Sequence, residues 1–144
     1  MTTADREALQ ALVVDYFHGF DDRRADVDAL RRTFTDDATV QFPAGSATGV
    51  EEIARLKQRL LSLWGPTLHG VSSIAVGDDG DRRARLRATL HATHLHRDDD
   101  PGAALHIGAR VAATAVRVDT GWRLRAMSLE LVWSEGDAPS PPGG

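Results

Sequence analysis

The sequence predicts an α+β domain, a cone-shaped, curved antiparallel β-sheet wrapped around three N-terminal helices. Three observations predict it. Apolar residues in the first half recur at three- and four-residue spacing, the period of a helix. From His69 onward they alternate, the period of a strand. In the last strand the apolar parity changes midway, which marks a β-bulge and a strongly bent sheet.

The first helix carries Leu9, Leu12, Val13, Tyr16, Phe17 and Phe20 on one face. Thr3 can cap it, Asp5 and Glu7 suit its positive first turn, and Gly19 with Asp21 to Arg24 marks its end. A short second helix follows Asp26, with Val27, Leu30 and Phe34 facing inward. Thr39 to Phe42 reads as a short strand, and Pro43 to Gly49 as a loop of small residues. A third helix from Val50 turns Ile53, Leu56, Leu60 and Leu63 inward and stops at Gly65 and Pro66.

Four strands follow: His69 to Val76, Arg82 to Arg97, Ala104 to Val118, and Trp122 to Trp133. The second has Ala84, Leu86, Ala88, Leu90, Ala92, His94 and His96 on one face. Two imidazoles therefore share a face with core residues, where they need partners or a polar cavity. The last strand runs Trp122, Leu124, Ala126 and then Met127, Leu129, Leu131, Trp133, which is the parity change. The cone spans residues 1–135, and a Pro- and Gly-rich tail, 136–144, is expected to be disordered from about Ser134.

Composition narrows the function. At 144 residues one domain is expected. There is no cysteine, so disulfides and thiolate chemistry are excluded. The net charge of −4 disfavours nucleic acid as a partner. The Arg82, Arg83, Arg85, Arg87 cluster reads as a solvated strand face in an arginine-biased sequence whose one lysine is Lys57. No apolar run approaches the ~18 residues that span a bilayer. The start, Met1 to Glu7, has no basic region followed by an apolar stretch, so a cytoplasmic location is expected and no membrane partner.

Several stretches together resemble the SnoaL-like branch of the nuclear transport factor 2-like superfamily. They are Leu12 to Asp21, Leu30 to Ala38, Gly49 with Glu51 and Ile53, His69, Thr89 to His96, and Gly121 to Leu124 with Trp133. Within that branch the chain is similar to the scytalone dehydratase, bile-acid dehydratase and ketosteroid isomerase relatives. The resemblance implies a tyrosine and an aspartate on the first helix, matched by Tyr16 and Asp21 with Asp15 as a second match. It implies a histidine opening the meander, matched by His69, and one on the next strand, matched by His94. Where relatives carry tyrosine and aspartate on the third meander strand, this chain has Val111, Ala112 and Ala113. The resemblance also implies a homodimer through the outer sheet face, where Ala112, Thr114 and Val116 lie.

These residues suit general acid–base chemistry, because imidazole titrates near neutrality and a carboxylate fixes its tautomer. The expected activity is that of a cofactor-independent lyase, isomerase or cyclase of dehydratase type, acting on a hydrophobic, ring-containing carbonyl compound. His69 or His94 is the base, Asp21 orients its imidazole, and Tyr16 polarises the carbonyl. Phe20, Phe42, Trp64, Leu90, His96, Val111, Leu129 and Trp133 are the expected substrate-binding residues. His94-x-His96 with Asp98 or His106 is the alternative of a metal site; it lacks the glutamate and glycines of a cupin, so no metal is expected. A non-catalytic module that binds a small ligand or only dimerises is the other alternative.

Overall fold

Thr2, not Thr3, starts the first helix. Its hydroxyl accepts from the Asp5 amide while the Asp5 carboxylate accepts from the Thr2 amide, a reciprocal cap. The computed structural model describes residues 1–141. The elements are α1 (Thr3–Asp21), α2 (Val27–Thr33), β1 (Phe34–Phe42), β2 (Gly45–Thr48), α3 (Val50–Leu63), β3 (Thr67–Asp78), β4 (Arg83–His94), β5 (Leu105–Val118) and β6 (Gly121–Glu135). Asp26 caps α2 as its position suggests, by accepting from the Ala29 amide.

One sheet contains all six strands, in the order β2-β1-β6-β5-β4-β3. It is mixed rather than antiparallel, because β1 runs parallel to β6 while every other pair is antiparallel. The strand after α2 is longer than its apolar core, and part of the expected 43–49 loop is β2, folded back on β1. The sheet curls around α1 and α3 and does not close. Its inner face buries Ala84, Leu86, Ala88 and Leu90 of β4 and Ala109, Val111, Ala113 and Ala115 of β5 against Leu9, Val13, Phe17, Ile53 and Leu56.

Bulges shape the curl. Thr114 pairs with Ala126 but Ala115 pairs with Leu124, so Arg125 is the extra residue that moves the inward parity to Met127 and Leu129. A second bulge lies at Val132, because Ala109 pairs with Leu131 and Gly108 with Trp133. β6 then continues to Glu135, beyond Ser134 where the tail was expected to begin.

The following residues are held too. The Asp137 amide donates to the Ala103 carbonyl, its carboxylate accepts from the Ala103 amide, and Ser140 bonds to Asp100. These bonds tether the segment through Ser140 to the β4–β5 connection, and the part of the expected disordered tail beyond residue 141 lies outside the described residues. No helix among the described residues is long and apolar enough to cross a membrane.

Candidate active site

α1 ends at Asp21 directly over the start of β3. Asp21 accepts three hydrogen bonds there, from the Thr67 hydroxyl (2.8 Å), the His69 amide (2.8 Å) and His69 Nδ1 (2.6 Å). Thr67 and His69 are two residues apart on a strand, so they share a face and reach one carboxylate. The bond to Asp21 sets His69 with its proton on Nδ1 and its Nε2 lone pair free. Phe17 stacks on the His69 ring at 5.3 Å and Phe20 meets it edge-on at 5.1 Å.

His94 lies on the neighbouring strand, paired with Thr67, and its ring stands 5.2 Å from that of His69. Trp64 packs against it at 4.9 Å. Trp64 is held by Arg23, whose guanidinium donates to the carbonyls of Leu61, Trp64 and Gly65 at the end of α3. A cation on those unsatisfied carbonyls ties the end of α1 to the end of α3.

These side chains face a cavity of about 350 Å³. Tyr16, Phe17 and Phe20 of α1 form one wall, and Leu60 and Trp64 a second. His69, Leu90, His94, Leu105, Ile107, Leu129 and Leu131 line the sheet side, with Phe42, Pro43 and Ala44 at one edge and Gly136 and Ala138 at the other. The lining is apolar apart from the phenol, the imidazoles and Ser134.

The electrostatics follow from burial. Desolvation is the main cause that lowers the His69 pKa, opposed by the hydrogen bond and charge of Asp21. Desolvation, with His69 beside it, lowers His94 to about 4. Both imidazoles are therefore neutral at pH 7. Burial raises the Tyr16 phenol well above its usual range, so it stays protonated and able to donate.

Tyr16, His69 and His94 thus line one cavity, with Asp21 behind His69. Asp15 is exposed and faces away from the cavity, so of the two α1 carboxylates Asp21 is the one that holds an imidazole. Phe20, Phe42, Trp64, Leu90 and Leu129 line the cavity. Three expected lining residues do not. Val111 lies deeper, packed in the core between Ala88 and Leu129. Trp133 is turned to the outer sheet face by the bulge at Val132, beside His91. His96 lies past the end of β4, on the far side of Trp64, with Nε2 3.0 Å from the carbonyls of Ala103 and Asp137.

Two residues escaped the sequence reading. Thr67 shares the His69 face at period two, which was the available signal. Lys57 is 3% exposed, inside the helical layer. It falls four residues after Ile53 and so on the apolar stripe of α3, a place that hydropathy alone assigns to no charged residue.

The comparisons with known proteins agree on the fold. The structure of the Kfla4162 protein from Kribbella flavida has a TM-score of 0.83 at 23% identity, covering 92% of this chain and 93% of that one. A Novosphingobium aromaticivorans protein with a provisional scytalone dehydratase assignment has a TM-score of 0.78 at 21% identity, covering 98% and 95%. A hexachlorocyclohexane dehydrochlorinase of LinA type 3 from Novosphingobium barchaimii has a TM-score of 0.81 at 19% identity, covering 96% of each. No curated protein matches in sequence. The model of the SnoaL-like domain matches residues 1–128. The chain belongs to the SnoaL-like family.

Proposed function

We propose that the protein is a cofactor-independent lyase of dehydratase type that removes a proton next to the carbonyl of a hydrophobic, ring-containing substrate. The observation that carries this reading is the Asp21–His69 pair, with Nε2 turned to an apolar cavity that also holds a phenol. In the proposed step Nε2 of His69 takes the α-proton, and Asp21 stabilises the imidazolium that forms. The Tyr16 hydroxyl donates to the carbonyl oxygen as it gains enolate charge. The enolate then re-forms its carbonyl, a carbon–carbon double bond forms, and the β-hydroxyl leaves as water. The imidazolium of His69 supplies the proton for that departure and returns to the neutral base. Isomerisation shares the first step and returns the proton to another carbon. The dehydratase and dehydrochlorinase assignments of the similar structures support elimination as the reaction class.

The test uses 1-tetralone, a ring ketone small enough for the cavity. In deuterated buffer the protein is expected to catalyse deuterium exchange at the α-carbon, followed by proton NMR. His69→Ala is expected to lower the rate on the order of 100-fold or more, and Asp21→Asn to lower it as well by releasing the tautomer. Exchange no faster than with free imidazole, or unchanged in His69→Ala, refutes the reading.

One observation favours a second reading. The inner face of β5 brings Leu105, Ile107, Ala109 and Val111 to the cone and no polar group opposite His69. A binding module needs none. His94→Ala separates the two, since a catalyst loses turnover while keeping affinity, whereas a binder has no turnover to lose. We also propose a cytoplasmic homodimer formed through the outer sheet face.

A further inference from the structure

Lys57 projects from α3 into the layer between α1 and α2, where its ammonium stands 4.6 Å from the centroid of the Tyr16 ring. Its Nζ comes within 3.1 Å of where a Cβ on Gly19 would sit, so the bare backbone of that turn of α1 makes room for it. A lysine buried to this degree is normally paired with a carboxylate. Among the described residues Lys57 has no such ion pair or hydrogen bond. The close partner of its charge is the aromatic face. Tyr16 is the wall between two spaces: the cavity that holds His69 and His94, and a polar cleft of about 440 Å³ that Lys57 shares.

We propose that Lys57 is a positioning residue for the reaction, acting through Tyr16. Its ammonium behind the ring polarises the phenol, so that the hydroxyl donates more strongly to a substrate oxygen gaining negative charge. When Lys57 loses its proton, Tyr16 becomes a weaker donor. This role rests on the acid–base reading above, but the coupling of the two side chains does not.

The pH at which the device works follows from its surroundings. Burial is the main cause that lowers the Lys57 amine to about 8, and Arg24 adds to it, while Asp26 and Asp21 oppose. The other charged or titratable groups facing the same cleft are Asp15 and His18 of α1, Asp22 just past its end, and Arg32 of α2. From β3, His69 feels the same charge, which helps to keep its imidazole neutral and ready to accept a proton.

The sequence makes the test clean, because it contains one lysine and one tyrosine. Protein labelled with carbon-13 at lysine Cε and tyrosine Cζ gives one resonance from each. The lysine signal is expected to titrate with a midpoint near 8, and the tyrosine signal to step at that same pH, below phenol ionisation. In Lys57→Met the tyrosine signal is expected to stay flat at its high-pH position. In Lys57→Arg, which keeps the charge, it stays flat at its low-pH position. A tyrosine signal that ignores the lysine titration, or that steps unchanged in Lys57→Met, overturns the proposal.

Exchange of 1-tetralone supplies the second arm. Wild-type rate is expected to fall as pH rises through 8, about tenfold in all, with Lys57→Met at the low level throughout and Lys57→Arg restored. If no exchange occurs at any pH while the two signals remain coupled, the acid–base reading fails and the coupling stands. If exchange occurs but is the same in wild type and Lys57→Met, the positioning role fails.

Discussion

His94, Lys57 and Tyr16 are titratable side chains shifted by the same cause, loss of water around the charged form. Each shift has a signed consequence for stability. The folded pKa of His94 is about 4 against an ordinary 6.5, so as pH falls through that window the unfolded chain binds a proton that the folded one refuses. Urea midpoints are therefore expected to fall from pH 6.5 toward 4, with His69 adding in the same direction, and to fall less in His94→Gln.

Lys57 acts at the other end of the range. Between about 8 and 10.5 the folded amine has released a proton that the unfolded amine keeps, so its contribution rises with pH. From pH 10 upward Tyr16 opposes this, because the folded phenol stays protonated while the unfolded one ionises. Lys57→Met is expected to abolish the rise, which urea melts at pH 7, 8, 9 and 10 would show. The His94 environment was legible in the sequence because an imidazole directly continues an alternating apolar face. Lys57 was not, because a charge on an amphipathic stripe is first read as solvated.

Within the strands, legibility tracked contrast between apolar and polar neighbours. The bulge at Arg125 is visible because a charge separates Leu124 from Met127 and the inward set changes parity across it. The bulge at Val132 is not, because Leu131, Val132 and Trp133 are all apolar and either register fits the pattern. That one extra residue sends Trp133 outward, where its indole lies over Gly108. A Cβ at Gly108 would meet the indole ring at 2.0 to 2.7 Å. Gly108→Ala is expected to cost about 1–3 kcal/mol in a denaturation experiment, and less in a Trp133→Ala background, a non-additivity that confirms the contact. β2 escaped for a related reason. Gly45, Ser46, Ala47 and Thr48 have little strand propensity of their own, and pairing with β1 overrides it.

The cavity is assembled from segments distant in sequence, Asp21 and His69 being 48 positions apart. Periodicity assigns each residue to an element and a face but gives no distances, so the grouping of Tyr16, Asp21, His69 and His94 came from the family resemblance. The same resemblance underlies the proposed dimer. The outer face offers Ala112, Thr114 and Val116, with the half-exposed Trp133 beyond them. An exposed tryptophan on the outer sheet face suits a self-complementary contact. Sedimentation is expected to give a dimer at micromolar concentration and a monomer for Ala112→Glu.

Strand order has one more consequence, for the route by which the chain reaches this shape. The last strand synthesised, β6, sits between β1 and β5 in the interior of the sheet. Until Ser128 is made, Val40 and Gln41 of β1 have no neighbour on that edge, and the greasy sides of the helices have no complete floor to settle on. A contact spanning that much chain is slow to close. The helical half must therefore wait, partly uncovered, for this sixth strand to emerge.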